Sequence, residues 1–243
     1  GLEAPGPETA WTFDPWVIVP LGGLAILYGL GVAAVWRRAG MGHGIARWQV
    51  AAFGAGWLTL AGALVSPLHA LGEHLFAFHM IEHEIVMTVS APLMAVARPI
   101  GGLVWAFPAA ARAFIGKALH GRMVKAGWRV LTRPRNATLL HGLAIWVWHA
   151  PSLFDAAVVD VVLHRLQHLS FFVTALLFWW SLIRRSDAGA AVWHLFVTMI
   201  HTGILGALIA LAPRVLYQAQ TSYASRLGLT PLEDQQLAGI IMW

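Results

Sequence analysis

Five stretches of this chain are each about twenty residues long, carry at most two charged residues and are too apolar for a water-exposed helix: Trp16–Trp36, Trp48–Val65, Leu75–Ala97, Val158–Ile183 and Ala190–Leu211. A helix rises about 1.5 Å per residue and a bilayer core is about 30 Å thick, so each is long enough to cross one. Inside lipid every backbone polar group must be satisfied within the protein, which restricts spanning elements to helices and closed barrels. Runs of this length fit helices. Two weaker segments, Asn136–Ala150 and the stretch from Leu237 onward, complete the pattern. The sequence predicts an all-α, polytopic integral membrane bundle of seven transmembrane helices, the last of them truncated at Trp243.

Composition agrees with lipid as the solvent. Charged residues make up 11% of the chain, against about 25% in a soluble domain. The formal charge of +5 raises the question of nucleic acid, and the placement of the sixteen basic residues answers it. Arg37, Arg38 and Arg47 lie between the first two spans. Arg98, Arg112, Lys117, Arg122, Lys125, Arg129, Arg133 and Arg135 lie between the third and fourth, and Arg184 and Arg185 follow the fifth. Thirteen of the sixteen therefore fall in alternate connections, the signature of cytoplasmic loops and not of a nucleic-acid surface. The N-terminus is then expected outside, together with residues 66–72, 151–159 and 213–231. Asn136–Ala150 would extend only about 23 Å as a helix, yet the alternation requires a span there.

Residues 1–15, with Pro5, Pro7, Pro15, Glu3, Glu8 and Asp14, read as an external tail, and 16–243 as one transmembrane domain. Within it, 99–135 mixes Trp105, Phe107, Phe114, Met123 and Trp128 with basic residues, the pattern of an amphipathic segment lying on the anionic inner leaflet. The chain starts at Gly1, without an initiator Met, which reads as processing or incompleteness at that end. It has no cysteine, which leaves His, Met, carboxylate or backbone to hold any transition metal.

Twelve histidines in so apolar a chain are unusual, because ionisable groups within membranes are rare and face bundle interiors. His79 and His83 are four apart on the third span, as are His164 and His168 on the fifth, so each pair projects from one helix face. Met87, Ser90 and Met94 continue the first stripe within about 80° on a helical wheel. Imidazoles followed by thioethers suit Cu(I). Two pairs on separate helices can supply four ligands to one ion, as bundle-core metal sites do. His149, His201, Met87, Glu82, Glu84 and Gln167 form a second tier of candidates. Glu82 and Glu84 are expected to be protonated, to pair with the intramembrane Arg165 or a metal, or to face a hydrated cavity. His43, His69, His74, His120 and His194 read as ordinary hydrogen-bonding contacts. Thr230, Pro231 and Glu233 read as a helix N-terminus, which accounts for less of the following polar cluster Asp234, Gln235 and Gln236.

The ordered set of segments His79-Met80-Ile81-Glu82-His83-Glu84, Trp148-His149-Ala150-Pro151, His164-Arg165-Leu166-Gln167-His168, His201-Thr202-Gly203 and Pro231-Leu232-Glu233-Asp234-Gln235-Gln236 resembles the polytopic CtaG family of cytochrome c oxidase assembly factors, in the branch associated with caa-type oxidases. The resemblance runs from about residue 75 to the end. It implies a seven-helix protein of the bacterial cytoplasmic membrane that handles copper for cytochrome c oxidase subunits, in assembly and not in turnover. Glutamine is expected as often as glutamate at Glu82, and the family continues beyond Trp243. The leading expectation is copper held by His79, His83, His164 and His168. The rivals are a b-type haem protein with histidine axial ligands, a di-metal oxygenase or hydrolase, and a metal-free assembly scaffold. Homo-oligomerisation is left open.

Overall fold

The computed structural model describes residues 10–220 and 223–243, and residues 1–9 of the expected tail lie outside them. Among the described residues every regular element is helical. Helix α1 spans Pro15–Ala39; Asp14 caps it by accepting from the Trp16 N–H, and Pro15 occupies the first turn, where its missing N–H is not needed. Helix α2 spans Arg47–Val65. Ser66 then caps a short helix α3, Pro67–Gly72.

The third span is broken. Helix α4 (Phe76–Glu84) runs into a π-helical turn over Ile85–Ser90 and continues as α5 (Ala91–Ala97). The π turn follows directly on His83 and Glu84, and such wide turns re-aim the side chains beyond them. The helix stops at Arg98, whose φ of 55° lies in the left-handed region.

The connection 99–135 holds three helices where the sequence suggests one amphipathic segment: α6 (Pro99–Trp105), α7 (Ala109–Leu119) and α8 (Arg122–Leu131). α6 folds back against α1, where Gly31 and Gly102 bring the backbones so close that a Cβ on Gly102 would lie 2.8 Å from the Tyr28 ring. α7 and α8 bury no residue within the chain.

The uncertain fourth span is a bent pair, α9 (Pro134–Trp148) and α10 (Pro151–Val159), meeting at 76°. Pro151 cannot donate the N–H a continuous helix needs, and His149 and Ala150 take up the break. Helix α11 spans Val161–Arg185 and starts where Asp160 caps the N–H groups of Val162 and Leu163. Helix α12 spans Ala188–Ala210, capped by Asp187, and α13 spans Pro231–Met242. Five helices are long and apolar enough to cross a membrane, six if the bent pair is one span. α13 has twelve residues, about 18 Å of helix.

Two apolar clusters divide the bundle. Tyr28, Phe53, Leu60, Val86 and Met94 join α1, α2 and the third span, while Phe76, Met80, Ile145, Phe154, Phe171 and Leu205 join it to the C-terminal helices. The third span is the wedge between them. Its histidines are buried; by contrast Val192, Phe196, Met199, Ile204 and Leu208 of α12 are exposed, a continuous apolar face that a soluble monomer does not display.

Candidate metal centre

Helix α4 is aimed by a cap supplied from the far end of the chain. Asp234 on α13 accepts from the N–H groups of Phe76 (2.8 Å) and Ala77 (3.0 Å), two of the donors a helix start leaves unpaired. Its neighbour Gln235 accepts from the Leu216 N–H at 2.6 Å and donates to the Arg214 carbonyl at 3.2 Å, tying down the loop before α13. The Thr230–Glu233 capping box forms as the sequence predicts. The polar cluster thus does more than start its own helix: two of its members fasten α4 and the preceding loop, and Gln236 is half-buried beside them.

With α4 so placed, its histidine pair meets the pair on α11. Ring centroids stand 4.3 Å apart for His79 and His83, 4.6 Å for His164 and His168, 5.0 Å for His83 and His168, and 5.4 Å for His79 and His164. Candidate ligand nitrogens of His79, His164 and His168 all lie within 4.8 Å of one another. Nitrogens bound to one ion at about 2.0–2.1 Å are roughly 3.3 Å apart in tetrahedral geometry, so a modest inward rotation of the rings closes the set. His149, at the α9–α10 break, approaches His83 at 6.1 Å.

The hydrogen bonds decide which nitrogens face inward. Nδ1–H of His79 donates to the Gly72 carbonyl at 3.2 Å, and Nδ1–H of His149 donates to the Ile145 carbonyl at 2.7 Å. A carbonyl can only accept, so in His149 Nδ1 carries the proton and Nε2 keeps its lone pair, the arrangement a metal-binding histidine needs. In His79 the Gly72 carbonyl favours the same tautomer, while the Gln220 amide at 3.3 Å from Nδ1 competes with it. Gln220 also donates to the Gly72 carbonyl, holding α3 against this wall. Among the described residues, Nε2 of His79, His149 and His164, both nitrogens of His83 and His168, and both amide atoms of Gln167 are buried without a hydrogen-bond partner. Each such group costs about 1–3 kcal/mol. Each neutral imidazole among them keeps one lone-pair nitrogen, and those of His79, His83, His149, His164 and His168 together form a donor set that fits a transition-metal ion.

Glu82 is fully buried beside them. Its Oε1 accepts from His69 Nδ1 at 2.8 Å and lies 3.4 Å from His168 Nδ1. His69 is on α3, outside the spans. Burial disfavours its protonation, but the charge and hydrogen bond of Glu82 outweigh that and hold its pKa above the ordinary histidine value. Its ring stands 5.4 Å from His164 and 6.0 Å from His168. The spacing rule missed His69 because it sits on a separate short helix, where no i,i+4 partner histidine announces it.

The other candidates lie elsewhere. Arg165 pairs with Asp14 (Nε to Oδ2, 2.8 Å) and not with Glu82 or Glu84, because its position on α11 faces the start of α1. Glu84 is half-buried on another side of α4 from Glu82. The methionine stripe divides at the π turn. Met87 joins the apolar cluster with Phe171 and Ile145, while Met94 joins the α1–α2 cluster and Ser90 meets Thr59 of α2 at 2.9 Å. His201 Nδ1 accepts from Trp146 at 3.3 Å, and His194 and His141 meet Thr138 and Thr174 between helices.

A family model described as cytochrome c oxidase caa3 assembly factor (Caa3_CtaG) matches residues 26–243. The chain belongs to that family. The match takes in α2 and most of α1 as well as the histidine helices, so the Caa3_CtaG relationship covers more than the motif-bearing part from residue 75. The family's described role is in assembling cytochrome c oxidase, which names the oxidase as its partner. Comparisons with curated proteins and with solved structures gave no match.

Proposed function

We propose that this Caa3_CtaG protein carries a copper ion at the centre of its bundle and supplies it to cytochrome c oxidase during assembly. The observation that carries the reading is the meeting of His79 and His83 with His164 and His168, with their inward nitrogens unpartnered. Copper is cargo here, not a resident catalyst, and the reading assigns the chain no turnover. Imidazole is a ligand common to several metals; the oxidase partner is what favours copper among them. His149 and His69 would be adjacent ligands or orienting groups. Glu82 would offset the ion's charge, and Gln167 would line the same space.

A b-type haem would also use histidines, but the ring spacing supports an ion better. The rings of His79, His164 and His168 lie within 6 Å of one another and His83 lies within 6 Å of two of them, with Phe154 5.0 Å from His79 and Phe171 4.7 Å from His83. A porphyrin needs an open slab between its two axial ligands. In the cell the bundle would lie in the bacterial cytoplasmic membrane with seven spans, the N-terminus outside and the connection 99–135 inside, as the distribution of basic residues suggests.

The test is metal loading of the purified chain. Anaerobic Cu(I) titration should give about one tightly held ion in the wild type. Either double variant, His79→Ala/His83→Ala or His164→Ala/His168→Ala, should lose it while remaining monodisperse in detergent. Copper retention equal to that of wild type in both variants would sink the site, and a Soret band in the wild type after expression with haem would replace copper with haem.

A further inference from the structure

A second built site lies at the other end of α11, well away from the histidines in sequence. A cavity of about 380 Å³ is lined by Arg122, Lys125, Trp128 and Arg129 of α8 and by Arg185 at the last turn of α11. Arg122, Lys125 and Arg129 are spaced i, i+3, i+7, so they share one face of α8. Trp128 meets Trp180 of α11 edge-on at 5.7 Å, and Arg184 stands over the Trp180 ring at 5.8 Å. The helix is fastened at its C-terminal end, where the Thr132 hydroxyl donates to the Trp128 carbonyl and Asn136 donates to the Val130 carbonyl. This is a fixed corner, not a dangling basic segment.

Its cations lack anions. Among the described residues none of these five basic groups is in an ion pair, and Arg184 Nε is buried without a hydrogen-bond partner. The nearest acid along the chain, Asp187, uses Oδ1 to cap α12 at Ala190. The opposite face of α8 carries Met123, Val124, Val130 and Leu131, all exposed. A helix with one exposed apolar face and one basic face lies in the headgroup plane of a membrane. The cavity is roughly ten times the volume of a water, about 30 Å³, so it accommodates a phosphodiester with its attached glycerol.

The geometry points to a specific site for the phosphate headgroup of an anionic phospholipid at the α8–α11 corner. Guanidinium groups supply paired donors matched to phosphate oxygens. The tryptophan pair sits at the depth of the glycerol backbone, and the apolar face of α8 extends among the acyl chains beside it. The occupant is a lipid and not a soluble phosphate because the cavity stands where a span ends and its flanking surface is apolar. The site is independent of the copper reading.

Native mass spectrometry of the detergent-purified chain, titrated with phosphatidylglycerol, phosphatidylcholine or inorganic phosphate, tests it. The wild type should retain one phosphatidylglycerol in clear preference to phosphatidylcholine. Neutralising one cation should weaken retention about five-fold, and Arg122→Gln/Arg129→Gln/Arg185→Gln on the order of 100-fold. The triple Arg→Lys variant, which keeps the charge and loses the paired donors, should retain phosphatidylglycerol less well than wild type but well above the triple Gln variant, which guards against a folding artefact. Undiminished phosphatidylglycerol retention in the triple Gln variant would overturn the site. So would equal retention of phosphatidylcholine, and an affinity for inorganic phosphate matching that for phosphatidylglycerol would make it a site for soluble anions instead.

Discussion

Asp234 and Phe76 stand 158 positions apart in sequence and 2.8 Å apart in space, the carboxylate of one accepting the N–H of the other. The cap fixes the start of α4, and with it the depth at which His79 and His83 meet α11. Asp234→Ala leaves two helix-start N–H groups in a buried wall unpaired, at a cost of about 1–3 kcal/mol each. Thermal unfolding in detergent should show a clear loss of stability, with weaker Cu(I) binding even though no candidate ligand has changed. Asp234→Asn, which keeps one acceptor oxygen, should lose less on both measures.

Glu82 should tune the centre without being essential to it. Glu82→Gln retains an acceptor for His69 but removes the buried charge, and loss of such a supporting group typically weakens metal binding by about 10–100-fold. Competition titration against a Cu(I) chelator should show a drop in that range at unchanged stoichiometry. An affinity equal to that of wild type would remove Glu82 from the site.

Met87 packs in the apolar cluster, and its carbonyl accepts from Trp179 at 2.8 Å. Met87→Leu is close to volume-conserving and should cost less than about 1.5 kcal/mol. Copper affinity should stay within about two-fold of wild type, in contrast to His168→Ala in the same titration.

The Asp14–Arg165 pair makes a pH-dependent contribution of known sign. Burial pushes the Asp14 pKa up, but the hydrogen bond from Arg165, the Trp16 N–H and the Arg165 charge together bring it below the ordinary aspartate value of 3.8. A lowered pKa adds stability at pH values above 3.8, and that contribution disappears as pH falls through the folded-state value. Both side chains are partly exposed, at 34% and 18%, so the effect is screened and under about 1 kcal/mol. The unfolding temperature of wild type should exceed that of Asp14→Asn at about pH 6, and the gap should shrink as pH falls below 3.8 and narrow in high salt.

Gly206 and Gly239 bring α12 and α13 into backbone contact. A Cβ on Gly206 would lie 2.8 Å from the Gly239 carbonyl oxygen, and one on Gly239 would lie 2.5 Å from the Ala210 nitrogen. Either Gly→Ala change should cost about 1–3 kcal/mol. Gly22→Ala, with nothing within 4 Å of the new methyl, should be neutral or slightly stabilising in the same unfolding assay.

The sequence by itself determined the helical class, the apolar spans, the helix start at Thr230 and the two histidine pairs, because all of these follow from periodicity and local backbone chemistry within a few residues. The caps at Asp14, Ser66 and Asp160 became visible only in the structure. The match over residues 26–243 agrees with the family its motifs resemble. Only the tertiary structure decided that the pairs meet, that His69 joins them, that Arg165 turns to Asp14, and that the methionine stripe splits at the π turn. Those outcomes depend on how helices distant in sequence are set against one another. Residues such as Asp234, Gly31 and Gly102 set them, through contacts that no local pattern encodes.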